Sequence, residues 1–278
     1  MEIAATISSS GSKNAPILFQ GDYAEEVARA ASLGFKAVEL HIRDPKAIDR
    51  KRLLQTLERT EQKVSAIGTG RAFGEDRIFF SSPDAEIRSR AVQRIKDHID
   101  LASELPTKVI IGLIRGPLPE LEGEKNAARP RVIDCFKECA SYAEKLHVSL
   151  AVEAINRYET NFLNTAEETE NFIKAIGSSL LGIHLDTFHM NIEEISIEGA
   201  LKEHGKRLLH MHLADSNRHA PGMGHLDFYS ILSALRDIGY RGYLSLECLP
   251  GADPFGAAKH AFRYLGELLS KIRPQTSD

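Results

Sequence analysis

The sequence predicts a single-domain (β/α)8 TIM barrel of the α/β class, on three observations. Eight short apolar runs alternate strictly with stretches of helical period. The length of 278 residues suits a closed barrel, which typically needs about 250. No linker, tail or low-complexity tract divides the chain, so residues 1–278 read as one domain.

Taken in order, the expected strands are Glu2–Ser8, Ala37–His41, Lys63–Ile67, Lys108–Ile114, Ser149–Ile155, Leu181–Asp186, Leu208–Asp215 and Gly242–Glu247. Their near-continuous apolar character is that of strands covered on both faces. Between them run eight amphipathic helices. Tyr23–Leu33 follows Gly21-Asp22, Asp84–Ala102 follows Ser82-Pro83, and Asp227–Ile238 follows a Gly-rich loop. Asp and Ser ahead of these segments are expected N-caps, and Gly34, Gly177 and Gly239 expected C-terminal stops. Parallel strands joined by right-handed crossovers place chemistry where strands end and the next loops begin.

Composition narrows the function. The formal charge is −4, from 35 basic and 39 acidic residues mixed along the chain. That lacks the basic excess a nucleic-acid binder needs. No apolar run approaches the roughly 20 residues of a membrane span. The start, MEIAATISSS, has neither the basic region nor the apolar core of a secretory signal. Three cysteines, Cys135, Cys139 and Cys248, build no disulfide framework and fit a reducing, cytoplasmic setting.

Four successive strand ends carry polar residues inside apolar runs: Glu153, Asp186, His212 and Glu247, spaced 33, 26 and 35 residues apart, each about one βα unit. One such acid is ordinarily a capping or salt-bridge residue. Three carboxylates and an imidazole at corresponding ends of adjacent strands would repel one another unless a cation lay among them. An O₃N donor set suits Mn²⁺, Co²⁺ or Mg²⁺, with Mn²⁺ ranked first for the mixed shell. His210 shares the inward parity of His212 and is the fallback ligand or its orienting neighbour.

These segments resemble the xylose-isomerase-like family of sugar isomerases and epimerases, and within it the ketose 3-epimerases. The matching residues are E-x-x-N-R-x-E-T (Glu153, Asn156, Arg157, Glu159, Thr160), D-T-F-H-M-N-I-E-E (Asp186 to Glu194), H-x-A-D-S-N-R (His212 to Arg218), P-G-x-G-x-x-D-F (Pro221 to Phe228) and Glu247. The likeness is dense over 149–250 and extends along the chain at the level of barrel pattern. R-D-P (Arg43–Pro45), A-I-G-T-G (Ala66–Gly70), I-I-G-L-I-R-G (Ile110–Gly116) and E-C-L-P (Glu247–Pro250) look most like the 5-keto-L-gluconate epimerases, which act on keto sugar acids.

The resemblance implies that Glu153, Asp186, His212 and Glu247 hold the metal, that Glu153 and Glu247 double as the acid/base pair, and that Glu159, His189 and Arg218 contact substrate. Epimerisation beside a ketone removes a weakly acidic C–H proton and returns it to the other face, through an enediolate a Lewis acid stabilises. It also implies a homo-oligomer, dimer or tetramer. Arg115, after the fourth strand, is expected in the active-site tier, and its planar fork matches a carboxylate; the expected substrate is therefore a keto sugar acid such as 5-keto-L-gluconate or D-tagaturonate. Arg71 reads more readily as a partner of loop acids, while His41 and Arg43 stand between substrate and structural roles. Glu159 and His189 are expected to pair, and Pro221–Gly224 to form a rigid turn. The alternatives are a neutral ketose 3-epimerase of the D-tagatose or D-psicose type, an aldose–ketose isomerase such as a hydroxypyruvate isomerase, and an AP-endonuclease-type barrel, which would need more His ligands and a basic surface.

Overall fold

Parallel pairing carries the chain once around a closed ring in the computed structural model, which describes residues 1–9 and 15–272. The strands are β1 (Glu2–Ser8), β2 (Phe19–Gln20), β3 (Ala37–His41), β4 (Lys63–Gly68), β5 (Val109–Ile111), β6 (Leu150–Glu153), β7 (Leu181–Asp186), β8 (Leu208–His212) and β9 (Tyr243–Leu246). Eight of them form the barrel, which closes where β1 pairs with β9, Glu2 opposite Tyr243 through Ala5 opposite Leu246. The two-residue β2, not expected from the sequence, lies on the outer edge of β1, with Ile7 opposite Phe19.

The helices are α1 (Tyr23–Ser32), α2 (Arg50–Arg59), α3 (Gly70–Asp76), α4 (Ala85–Glu104), α5 (Glu122–Leu146), α6 (Ala166–Ile176), α7 (Thr187–Glu193), α8 (Ile197–His204), α9 (Phe228–Asp237) and α10 (Pro254–Lys271). Ten α-helices among the described residues exceed the expected eight because α3 and α7 are short additions directly after β4 and β7, on the side of the barrel where loops gather. The expected cap Asp22 forms, accepting from the backbone N–H of Glu25, whereas Asp84 and Asp227, expected as the first residues of their helices, are themselves the caps and accept from the N–H groups of Glu86 and Ser230. Gly34, Gly177 and Gly239 end helices at φ of 96°, 84° and 74°, a conformation that costs other residues. Among the described residues, no helix is long and apolar enough to cross a membrane.

Three expected strands end early, for one reason. β5 stops at Ile111 because Gly112 turns the backbone into a 3₁₀ turn over Leu113–Arg115; β6 stops at Glu153 and β8 at His212. Beyond each point the apolar run continues, but its backbone leaves the ladder to build a loop over the barrel mouth.

Outward strand residues such as Ile7, Leu40, Ile67, Ile111, Val152, Leu185 and Leu246 pack against the helices in one continuous core. The barrel interior is different. It holds the small apolar set Ala66, Ile110 and Ala151 beside the buried polar residues Thr6, Glu39, Ser65, His184, His210 and Ser245. Bonds cross the ring between non-adjacent strands, including Ser65 Oγ to Ser245 Oγ at 3.1 Å.

Arg115 corrects an expectation. Its side chain is fully buried, and the guanidinium donates to Gly112 O at 2.9 Å, to Phe162 O at 3.1 and 2.7 Å, and to Leu163 O at 3.2 Å. Burial pulls its pKa down to about 10. It ties the loop after β6 to the turn after β5 instead of facing a substrate. The physical reason is geometric: the 3₁₀ turn carries residue 115 behind the barrel mouth, which an extended strand through Ile114 would not do. Arg115→Ala removes four side-chain hydrogen bonds and leaves Phe162 O without the guanidinium that holds it, while Gly112 O and Leu163 O keep the N–H groups of residue 115 and Ile155; the change is expected to cost about 3 kcal/mol or more. A lowered thermal midpoint measures this, with KM unchanged in the protein that remains folded.

Candidate active site

Each expected ligand sits where its strand ends. Glu153 is the last residue of β6, Asp186 the last of β7, His212 the last of β8, and Glu247 follows β9. One donor atom from each of the four lies within 4.8 Å of all the others. Glu153, His212 and Glu247 line a cavity of about 700 Å³, and the fully buried Asp186 sits with them at its floor. Two of the donor atoms are buried and make no hydrogen bond: His212 Nδ1, and Asp186 Oδ2, which faces Arg218 Nη1 as an ion pair at 3.0 Å. Buried atoms of this kind are costly unless something else engages them. A hard, oxygen-rich set with one imidazole, converging on a single point, fits a divalent cation.

The electrostatics of the cluster follow from concentrating negative charge away from water. Burial, reinforced by the Glu247 charge, pushes Glu153 up to about 8. Burial also raises Asp186, to about 6, against the pull of Arg218. For Glu247 burial acts in the same sense, but His212 and Arg218 outweigh it and hold the carboxyl well below its usual range. His212 resists the cost of burial because Glu39 and Glu247 hold its imidazolium, raising its pKa well above 6.5. Arg218 is the positive charge inside the cluster: Nη1 lies 3.0 Å from Asp186 Oδ2, and Nη2 hydrogen-bonds Glu247 Oε2.

Arg218 is placed by its loop. Its backbone adopts φ +64°, and its guanidinium lies 4.6 Å over the Phe188 ring. Asp215 holds that loop, its carboxylate accepting from the backbone N–H groups of Ser216 at 2.8 Å, Gly222 at 2.9 Å and Leu226 at 3.1 Å. At Gly224 a Cβ would collide with the Asp215 carboxylate. The turn around Pro221–Gly224 is thus a rigid support, as expected.

His189 and Glu159 reach the cavity wall, but they do not pair directly as expected. His189 Nδ1 and Glu159 Oε1 are 3.9 Å apart. Asn156 stands between them, its Nδ2 donating to Glu159 Oε1 at 3.0 Å and to His189 Nδ1 at 2.7 Å. A lone pair on Nδ1 leaves the proton on Nε2, which faces Glu153 at 3.8 Å and Asp186 at 4.0 Å. Burial and Arg218 lower the His189 pKa well below 6.5, so the ring is neutral.

His41 and Arg71 line the same cavity, whereas Arg43 lines a neighbouring cavity of about 560 Å³. Arg71 donates to Glu75 Oε1 at 2.7 Å and to the hydroxyls of Ser8 and Ser9 at 2.9 and 3.0 Å; Arg43 is bonded to Asp76. Two glycines make room for the floor. A Cβ at Gly112 would collide with Glu153 Oε2, and one at Gly68 would meet His41 Nδ1 at 2.8 Å. Sequence reasoning missed Glu39 and His184, and gave Asn156 a place in a motif but no role. Glu39 interrupts AVELH on β3, the same signal that marks the four expected ligands. His184 lies two residues before Asp186 and so shares its inward parity.

Comparison with known proteins agrees with this geometry. The family described as "Xylose isomerase-like TIM barrel" matches residues 27–268. The D-psicose 3-epimerase of Enterocloster bolteae is 34% identical over 234 residues, covering 81% of this chain and 76% of its own. The 3-dehydro-D-guloside 4-epimerase of Escherichia coli is 27% identical, covering 78% of this chain and 87% of its own. A solved L-ribulose 3-epimerase superposes with a TM-score of 0.81 at 28% identity, over 98% of this chain and 96% of that one. The chain belongs to the xylose isomerase-like TIM barrel family, counts ketose 3-epimerases among its relatives, and is a carbohydrate isomerase.

Proposed function

We propose that the protein is a metal-dependent ketose epimerase that inverts the carbon next to the carbonyl of a neutral sugar. The observation that carries this reading is the convergence of Glu153, Asp186, His212 and Glu247 within 4.8 Å beneath an open cavity. A divalent cation held by those four, with Mn²⁺ ranked first, would supply Lewis-acid stabilisation for negative charge developing on the substrate carbonyl and neighbouring hydroxyl oxygens.

The chain's own residues supply the rest. Glu153 and Glu247 are the proton-transfer pair, one withdrawing the proton from the reacting carbon and the other delivering one to the opposite face. In the cation-free site burial drives Glu153 upward while His212 and Arg218 hold Glu247 downward, so the two carboxyls of the pair stand in electrostatically distinct environments. His189, with its Nε2 proton directed at the floor, and Arg218, hinged over Phe188, orient substrate oxygens. Glu159, held by Asn156, accepts from a substrate hydroxyl.

The charge around the cavity favours a neutral substrate over a keto sugar acid. Arg115 is committed to backbone carbonyls, and Arg71 carries Glu75 as a salt-bridge partner. Glu75 and Glu159 add acidic groups to the wall. A substrate carboxylate would meet more negative than positive charge there, whereas paired guanidinium and carboxylate groups suit hydroxyls.

Substitution, chelation and isotope exchange test the reading. Glu153→Gln and Glu247→Gln are each expected to lower kcat by about 10³-fold or more, and chelation to abolish turnover until Mn²⁺ is restored. Incubation of ketohexoses in D₂O should place deuterium at C3 of a retained ketose by NMR. An aldehyde signal instead would make the enzyme an aldose–ketose isomerase, and faster turnover of keto-hexonates than of ketohexoses would overturn the neutral-substrate assignment.

A further inference from the structure

Beneath the proposed cation site lies a carboxylate that the reaction does not use. Glu39, on β3, is fully buried and points across the barrel. Its Oε1 is 2.8 Å from His212 Nε2, and its Oε2 is 2.6 Å from His210 Nε2. His41 Nε2 lies 2.9 Å from the same Oε1. Imidazoles thus surround both of its oxygens. Lys108, the ammonium approaching from below, bonds the backbone oxygen of Ser65 at 3.0 Å.

Resting on the metal-dependent reading above, we propose that Glu39 is the positioning residue of the cation site, holding the His212 proton on Nε2 so that the Nδ1 lone pair is presented to the cation. The geometry fixes each end of this relay. His212 Nδ1, the other ring nitrogen, lies 3.4 Å from Glu247 Oε2 and 3.9 Å from Asp186 Oδ2, among the other donors. An imidazole that rotated, or moved its proton to Nδ1, would turn an N–H toward the cation and could not ligate it. Glu39 prevents both, because an ionised carboxylate accepts and cannot donate.

The carboxylate is itself held in plane. His210 grips the second oxygen and shares its Nε2 proton with Ser245 Oγ at 3.2 Å; Ser245 Oγ meets Ser65 Oγ at 3.1 Å, whose hydroxyl reaches Val38 O at 3.2 Å. This chain of bonds runs from β8 through β9 and β4 to β3, so the orientation of His212 is set by the frame. A carboxylate serving fold stability alone would have no reason to sit on the ligand's far nitrogen. Carboxylate–histidine–metal relays of this form commonly change metal affinity by about 10- to 100-fold when the carboxylate is altered.

The test uses the full chain. Metal is stripped with a chelator and Mn²⁺ alone is titrated calorimetrically into wild type and Glu39→Gln, with thermal melting run alongside. The amide introduced by Glu39→Gln can turn its NH₂ toward His212, so Mn²⁺ affinity is expected to fall by about 10- to 100-fold. A folded Glu39→Gln with wild-type affinity overturns the assignment while leaving the metal centre intact. Wild type that takes up no Mn²⁺ removes the centre and the assignment together. Should Glu39→Gln fail to fold, ¹⁵N-histidine NMR of the Zn²⁺-loaded wild type decides alone. Metal on Nδ1 and a proton on Nε2 of His212 are expected, and ligation through Nε2 would end the proposal.

Discussion

The constraint on which the rest depends is the crowding of three carboxylates into a space from which water is largely excluded. Isolated, such charges would be expelled or protonated. They persist because every neighbouring element supplies compensation: Arg218 from the loop after β8, the imidazole of His212 beside Glu247, and the donor geometry for a cation. Glycines follow from the same demand. Gly112 and Gly68 lack side chains because a carboxylate and an imidazole already occupy the space a Cβ would take. The loop that carries Arg218 is stiff, with Asp215 anchored to three backbone N–H groups, because a wandering counter-charge would leave the cluster unbalanced.

Much of this was legible in the sequence because strand parity is strict. An acid at the end of an apolar run, repeated at βα spacing, has few places to point, and so the barrel and the four floor residues could be read together. What could not be read was where the backbone leaves the ladder. Arg115 follows an apolar run that looks like strand through Ile114, yet Gly112 turns the chain two residues earlier and sends the guanidinium into the wall. Apolar character marks burial, and a buried turn carries the same mark as a buried strand. The Glu159–His189 pair failed for a related reason. Both residues stand at the site, but Asn156 Nδ2 bonds each of them, a bridge that spacing alone does not reveal.

The barrel interior shows how the floor is supported. Barrels of this kind are usually filled by bulky branched side chains. Here Ala66 and Ala151 leave room on one side, while Glu39, His184, His210 and Ser245 fill the other. His184 packs its ring 4.0 Å from that of His212, edge to face, and burial, with His212 and His210 nearby, keeps it neutral. Polar packing of this sort is directional in a way that aliphatic packing is not. It exchanges some of the tolerance of an apolar core for a fixed angle at His212 above it.

A division of labour between frame and loops follows. The floor residues are borne by β6, β7 and β8 or stand one residue past β9, and their positions are determined by a ring of backbone hydrogen bonds that no single loop can alter. Glu159, Arg218 and Arg71 reach the cavity from beyond the strand ends, where a turn or a two-residue shift redirects a whole side chain, as at Arg115. On the function proposed above, the proton chemistry belongs to the part of the molecule least able to move, and the choice of sugar to the part most easily reshaped. On that basis the distal wall, where Arg71 is clasped by Glu75 and the Ser8 and Ser9 hydroxyls, is the place where altered charge changes what the cavity admits while the four floor residues keep their positions.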